Sequence, residues 1–315
     1  MISKKLACAA AAVALFIFSS SAAMAATKVT LMYTASAPYA AAFVAKDQGF
    51  FKNHGVDVDL KLAQNGSVII AGIVSGSAQV GIPTPTVAFQ AVDNGIKLKA
   101  FASTNVFPDT SQAGLVVSPK SGIKDPKDLE GKKIGVPGIG GLLDVVMRQW
   151  VAANGGDPTK INIVEVALPQ TADMLRSGQV DGVATVDPFL SRAVKTGAGK
   201  LIGNYLSVIT PGTSGGIFVA TKAWADAHMK AIRGMQAALD EAVAYIKTHD
   251  KSARKSLAKY TTLPPKVVAG LKWPNFATHL SPEKSFKFWN TLALKQHLIS
   301  KPVDLKSFTI TYLGD

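Results

Sequence analysis

The sequence predicts an α/β protein of two lobes, each a mainly parallel sheet flanked by helices. Three observations carry this. Short apolar strands alternate with helix-length segments, in units too short for a sandwich and suited to strands crossing over through helices. A local pattern recurs: Ile73-Val74-Ser75-Gly76 with Gln79-Val80-Gly81-Ile82 resembles Leu175-Arg176-Ser177-Gly178 with Val180-Asp181-Gly182-Val183. Both copies break a helix at Ser-Gly, run a buried strand and end on a proline-containing turn. The chain has 315 residues, enough for more than one core.

The elements follow in order. Val29–Tyr33 is a strand, Thr34–Pro38 a loop, and Tyr39–Gln48 a helix ended by Gly49. Val56–Leu62 alternates as a strand. Ser67 is placed to cap a helix over Val68–Val74. Ala78–Ile82 is a buried strand, Pro83–Pro85 a turn, Thr86–Val92 a helix, and Leu98–Ala102 a strand. The middle repeats this grammar: strands over Ala113–Val117, Lys133–Val136, Ile161–Val166 and Val180–Val186, with a helix presenting Leu143, Val146, Met147 and Trp150 on one face. After the strand Ile217–Ala220, Thr221 is placed to cap a long helix with Ile232, Met235, Leu239, Val243 and Ile246 along one side. Another helix starts at Ser281-Pro282-Glu283, with Pro at the first helical position.

Composition fits a globular chain: 48% hydrophobic, 17% charged, mean hydropathy +0.21. Lys4 and Lys5, an apolar run from Leu6 to Phe18 and the small-residue end Ala23-Met24-Ala25 read as a secretory signal peptide over residues 1–25. The run is too short to span a bilayer. Cleavage after Ala25 removes Cys8, the single cysteine, so the mature chain is expected to have no disulfide and no thiolate chemistry. The formal charge falls from +13 to +11 with the loss of Lys4 and Lys5. The remaining Lys and Arg are scattered, without interleaved aromatics, so no nucleic-acid partner is expected. The mature protein is expected to be exported and soluble.

No motif for catalysis or metal binding emerges. His54, His228, His249, His279 and His297 lack ligand spacing, and there is no nucleophile elbow, metalloprotease motif or phosphate loop. The expectation is no catalytic residue, no metal and no cofactor. What stands out is small residues at strand ends: Ser36-Ala37-Pro38-Tyr39, Thr84 to Thr86, Gly138-Ile139-Gly140-Gly141, and Thr213-Ser214-Gly215-Gly216. In open α/β sheets such turns line the ligand crevice, where helix-start N–H groups hold an anion. Asp187-Pro188-Phe189 has two readings. Asp187 caps a helix, or it accepts a hydrogen bond from a ligand amine while Phe189 covers an apolar part.

Several stretches together resemble a known group. They are Tyr39 to Phe51, His54-Gly55-Val56-Asp57-Val58, the Ser75-Gly76 helix end, Asp128-Leu129-Glu130-Gly131-Lys132-Lys133-Ile134-Gly135-Val136, Leu175 to Gly182, and Asp187-Pro188-Phe189. In this order they resemble the periplasmic solute-binding proteins of ABC importers for nitrate, sulfonates, taurine and thiamine-precursor pyrimidines, the NMT1/THI5-like and SsuA/TauA-like superfamily. The resemblance covers nearly all of the mature chain.

It implies a type II-like periplasmic-binding-protein fold with the cleft between the lobes. The first lobe would be residues 26–112 and 214–315, the second 113–213. Ser36, Ala37, Tyr39, Thr84, Thr86, Gly138, Gly140, Gly141, Asp187, Phe189, Thr213 and Ser214 would bind ligand. Many relatives carry Ser or Thr at the helix start where this chain has Gly-Ile-Gly-Gly, which leaves only backbone N–H donors there. The resemblance implies a monomer in the periplasm whose partners are a small organic anion, an inner-membrane permease and its separate ATPase. An organosulfonate such as an alkanesulfonate or taurine is the first choice. An aromatic or aliphatic carboxylate, nitrate or a pyrimidine thiamine precursor are the alternatives. A pyrimidine-synthesis enzyme on the same fold would need cysteine-rich iron chemistry in the cytoplasm, against which export and the cysteine-free mature chain argue. An importer-independent ligand sensor would share the fold.

Overall fold

A computed structural model describes residues 26–108, 113–261 and 263–311. The expected signal peptide, with Cys8 and the expected cleavage point at Ala25, lies outside the described residues.

The chain builds one sheet, crosses to a second, and returns. The first part runs β1 (Thr27–Tyr33), α1 (Ala40–Asp47), α2 (Phe50–Asn53), β2 (Val56–Leu62), α3 (Gly66–Val74), β3 (Val80–Gly81), α4 (Pro85–Asp93) and β4 (Leu98–Ser103). The second runs β5 (Ala113–Val117), β6 (Lys133–Val136), α5 (Leu142–Ala153), β7 (Asn162–Glu165), α6 (Thr171–Arg176), β8 (Gly182–Val186), α7 (Phe189–Lys195) and β9 (Lys200–Gly203). The return supplies β10 (Ile217–Thr221) and α8 (Lys222–Ala227), α9 (Met229–Thr248), α10 (Asp250–Thr261), α11 (Pro265–Ala269), α12 (Pro282–Lys295) and α13 (Leu305–Phe308).

The two five-stranded sheets have the orders β2-β1-β3-β10-β4 and β7-β6-β8-β5-β9. They share one plan. Three strands lie parallel, a fourth joins antiparallel, and the edge strand pairs antiparallel with that fourth. Each antiparallel strand, β10 or β5, is the first one made after a crossing, so it enters its sheet from the opposite end. Each sheet is therefore mainly parallel, as the sequence pattern predicts, with the single strand β10 or β5 running against the other four. The Ser-Gly repeat falls at matching places: Gly76 (φ 76°) and Gly178 (φ 70°) end α3 and α6, just before β3 and β8, the third strand of each plan.

The crossings pair with each other. Phe107 N–H donates to Thr213 O at 2.9 Å, Thr104 N–H to Gly216 O at 2.9 Å and Gly215 N–H to Asn105 O at 2.9 Å. One apolar core runs through both lobes beside this pair, with Phe89 and Trp289 from the first and Val145 and Trp150 from the second. A further core packs α1, α9 and α10 on the far face of the first sheet. There, a Cβ on Gly234 would lie 2.3 Å from His54 O, so only glycine lets α9 approach this closely.

Caps depart from the sequence expectation in two places. Asn65, not Ser67, caps α3 by accepting from Val68 N–H at 3.0 Å, so the helix starts two residues earlier, at Gly66. Thr221 accepts from Trp224 N–H at 3.2 Å but caps only the short α8. His228 (φ −126°, ψ 35°), stacked 4.6 Å from Trp224, interrupts the helix before α9. The strand β9 adds an edge that the sequence pattern did not announce.

Candidate ligand-binding site

Between the lobes lies a cavity of about 650 Å³, a size suited to a small organic molecule. It opens at the C-terminal ends of the parallel strands of both sheets, where α/β proteins gather ligand-binding turns. In the first lobe the turns after β1, β2 and β3 supply Thr34 and Ser36, Gln64 to Ser67, and Pro83 with Thr84. In the second lobe the ends of β6, β7 and β8 supply Pro137 to Ile139, Glu165 to Gln170, and Val186.

The two walls differ in chemistry. The first-lobe wall is rich in hydroxyls and amides: Thr34, Ser36, Tyr39, Gln64, Ser67 and Thr84. Tyr39 is 6% exposed, and burial pushes its phenol above the ordinary tyrosine range, against a weaker opposing hydrogen bond with Thr34. It therefore offers an O–H at neutral pH. Helix α3 begins at this wall. Asn65 takes Val68 N–H, while the N–H groups of Gly66 and Ser67 have no partner within the helix. The second-lobe wall is mostly aliphatic, with Ile139, Leu142, Leu143, Leu168, Val186 and Leu206. Among the described residues lining the cavity, Glu165 is the only acidic side chain, and none is Lys, Arg or His.

The glycine turn before α5 is held from within. Ile139 N–H donates to Glu165 Oε1 at 3.1 Å, Gly140 N–H to Asp144 Oδ2 at 2.9 Å, and Gly141 N–H to Gly138 O at 3.1 Å. Asp144 is buried and also accepts from Arg148 Nε at 2.7 Å. Gly140 needs its φ of 72°, and its carbonyl accepts from Gln90 Nε2 of the first lobe at 3.2 Å. Three of the four N–H groups that the sequence offered to an anion are thus already used. At the start of α5, Leu142 and Leu143 line the cavity and belong to the first turn, whose N–H groups have no partner within the helix.

The structure brings Ser36, Tyr39, Thr84, Gly138 and Gly141 together around the cavity, and it places the other candidates elsewhere. Ala37 is buried in the 3-10 turn Ala37–Tyr39, and Thr86 is fully buried one turn into α4. Gly140 lies behind the turn, against Gln90. Asp187 Oδ1 accepts from Ser191 N–H at 2.9 Å, so its side chain caps α7, and Phe189 is buried beside it. Thr213 and Ser214 belong to the crossing. Thr213 O takes Phe107 N–H, and Ser214 O takes Trp289 Nε1 at 2.7 Å.

Sequence reading missed Leu62, Gln64, Asn65, Glu165, Leu168 and Leu206, which line the cavity. The signal that would have found the first three is their position just after the Val56–Leu62 strand. Leu206 had no such signal, since it lies in the 3-10 turn Tyr205–Val208 after β9, a strand that was not recognised.

The sequence profile of the NMT1/THI5-like family matches residues 37–253. The taurine-binding periplasmic protein of Escherichia coli is 26% identical over 82% of this chain and 80% of its own length. The nitrate import ATP-binding protein NrtC of Synechocystis is 25% identical over 75% of this chain, which spans 37% of that longer protein. Among solved structures, the alkanesulfonate-binding protein SsuA of Xanthomonas axonopodis bound to MOPS superposes with a TM-score of 0.77 at 20% identity, covering 91% of this chain and 99% of that one. Fold and relatives alike point to a binding protein rather than an enzyme, and such proteins are extracytoplasmic partners of ABC importers. The chain belongs to the NMT1/THI5-like family, on the two-lobed fold of periplasmic binding proteins.

Proposed function

We propose that this chain captures a small organic anion in the cavity between its lobes, closes on it, and delivers it to a membrane permease driven by a separate ATPase. The observation that carries this reading is the division of the cavity walls. An anionic head finds hydroxyls and helix-start N–H groups on the first lobe, and an apolar body finds aliphatic side chains on the second. Solute entering the open cleft binds the polar wall, and closure brings up the apolar one, which favours the closed state.

An organosulfonate is the first choice of solute and an aromatic or aliphatic carboxylate the second. The cavity of about 650 Å³ exceeds what a bare inorganic anion fills. The names of the similar proteins, for taurine, alkanesulfonate and nitrate, agree in an anionic group and differ in size. We take residues 26–112 and 214–315 as one lobe and 113–213 as the other, with residues 1–25 removed on export.

The test is a thermal-shift panel of sulfonates, carboxylates, nitrate and pyrimidines on the purified mature chain, followed by small-angle scattering. A solute at a hundred times its Kd should stabilise the chain by about 2.7 kcal/mol. It should also reduce the radius of gyration. No shift and no contraction with any anion would overturn the reading.

A further inference from the structure

The apolar wall carries one side chain that does not suit an anion. Glu165 is the last residue of β7, at the strand end that faces the cavity. One of its oxygens accepts from Ile139 N–H at 3.1 Å, and no cationic side chain is paired with it among the described residues. The second-lobe wall that it belongs to is otherwise mostly aliphatic, with Ile139, Leu142 and Leu168, and has Gln170 as a neutral polar member. In the open cleft water reaches the carboxylate, which is exposed. Closure over a solute removes that water. A carboxylate taken out of water with one backbone N–H and no cation as partner opposes closure strongly. A purely anionic solute would add repulsion, since no Lys, Arg or His lines the cavity to offset it.

We propose that the solute is zwitterionic: opposite the anionic head held by the first lobe, it carries an ammonium group that Glu165 receives as the lobes close. The inference rests on the solute-capture reading and narrows it. The aliphatic neighbours of Glu165 make the pairing selective, because a charge-assisted hydrogen bond is stronger where water is excluded. Glu165 is then a specificity-determining residue. It discriminates against the analogue that lacks the amine, whose binding leaves the carboxylate unpaired.

Matched pairs of probes isolate the ammonium: 3-aminopropanesulfonate against propanesulfonate, and 4-(aminomethyl)benzoate against 4-methylbenzoate. Affinities are measured by calorimetry on the natural chain and on Glu165→Gln. The glutamine keeps an acceptor for Ile139 N–H, so the turn and the fold are preserved. In the natural chain the aminated member of a pair should bind at least tenfold more tightly, and in Glu165→Gln that ratio should fall close to one. Equal binding of both members, or an amine advantage that survives in Glu165→Gln, overturns the ammonium and leaves solute capture standing. Failure of all four probes and of the wider anion panel to shift the melting temperature overturns solute capture, and this inference with it.

Discussion

The two lobes share a strand order and differ in what they present at the strand ends. After β1, β2 and β3, the first lobe places Thr34, Ser36, Gln64, Ser67 and Thr84 on the cavity. After β6, β7 and β8, the second places Ile139, Leu142, Leu168 and Val186, with Glu165 among them. The third turn shows the contrast most sharply. Thr84 stands at the start of α4 with no side-chain cap bond and lines the cavity. Its counterpart Asp187 is turned into its own helix by the bond from Ser191. The same backbone plan can therefore aim a strand-end residue at a ligand or at its own helix. Which occurs is decided by whether the side chain finds a local N–H first.

The comparison can be broken at four points. The largest expected effect is on the core common to both lobes. Trp289→Ala should cost about 3–5 kcal/mol in urea unfolding. Both lobes should lose stability in one transition, because Trp289 belongs to the core shared with Val145 and Trp150. Two separated transitions, with only one moved, would show that the lobes unfold independently.

A second effect belongs to the first lobe alone. Asp47 accepts from Ser256 Oγ at 2.9 Å, Lys259 Nζ at 2.7 Å and Tyr260 Oη at 2.7 Å, tying α1 to α10. Burial pushes its carboxyl up, but the hydrogen bonds from Lys259, Tyr260 and Ser256 outweigh this and hold it below the usual carboxylate range. A depressed folded-state pKa means stabilisation that is fully present above the unfolded-state value near 3.8 and lost as pH falls through the folded one. Asp47→Ala should cost about 1–2 kcal/mol at pH 7 and progressively less at lower pH, as read by chemical unfolding across that range.

Third, the polar wall should act on every anion alike. Ser36→Ala or Thr84→Val should weaken binding by about 1 kcal/mol whatever the solute's apolar body. Leu142→Ala on the opposite wall should instead cost more for the larger of two homologous solutes. Calorimetry on a homologous series separates the two, and equal slopes would remove the division of the walls. The smallest effect concerns Asp187. Asp187→Ala should lower stability by about 0.5–1 kcal/mol with the affinity unchanged. A loss of affinity at constant melting temperature would return Asp187 to the ligand.

Much of this was legible in the chain. The alternation Val56-Asp57-Val58-Asp59-Leu60 gives β2 with the residue range found in the structure. The Ser-Gly repeats marked the third strand of each sheet. By contrast, β9 carries little local signal, because it is an edge strand with a half-exposed pattern and pairs only with β5. The long helix read from Thr221 is two helices, because the stacking of Trp224 on His228 closes the first before the second begins.

By itself the sequence determined the α/β class, the two-lobed organisation and the strand-end turns as the place to look, because hydrophobic period and turn chemistry are local properties. Only the tertiary structure decided which turn residues face the cavity. Gly138-Ile139-Gly140-Gly141 reads as an open anion nest until Glu165 and Asp144 are seen to occupy the N–H groups of Ile139 and Gly140. One of these partners is a helical turn away and the other comes from the next strand. A donor's availability depends on every acceptor that folding brings within about 3 Å, and no window of sequence contains them all.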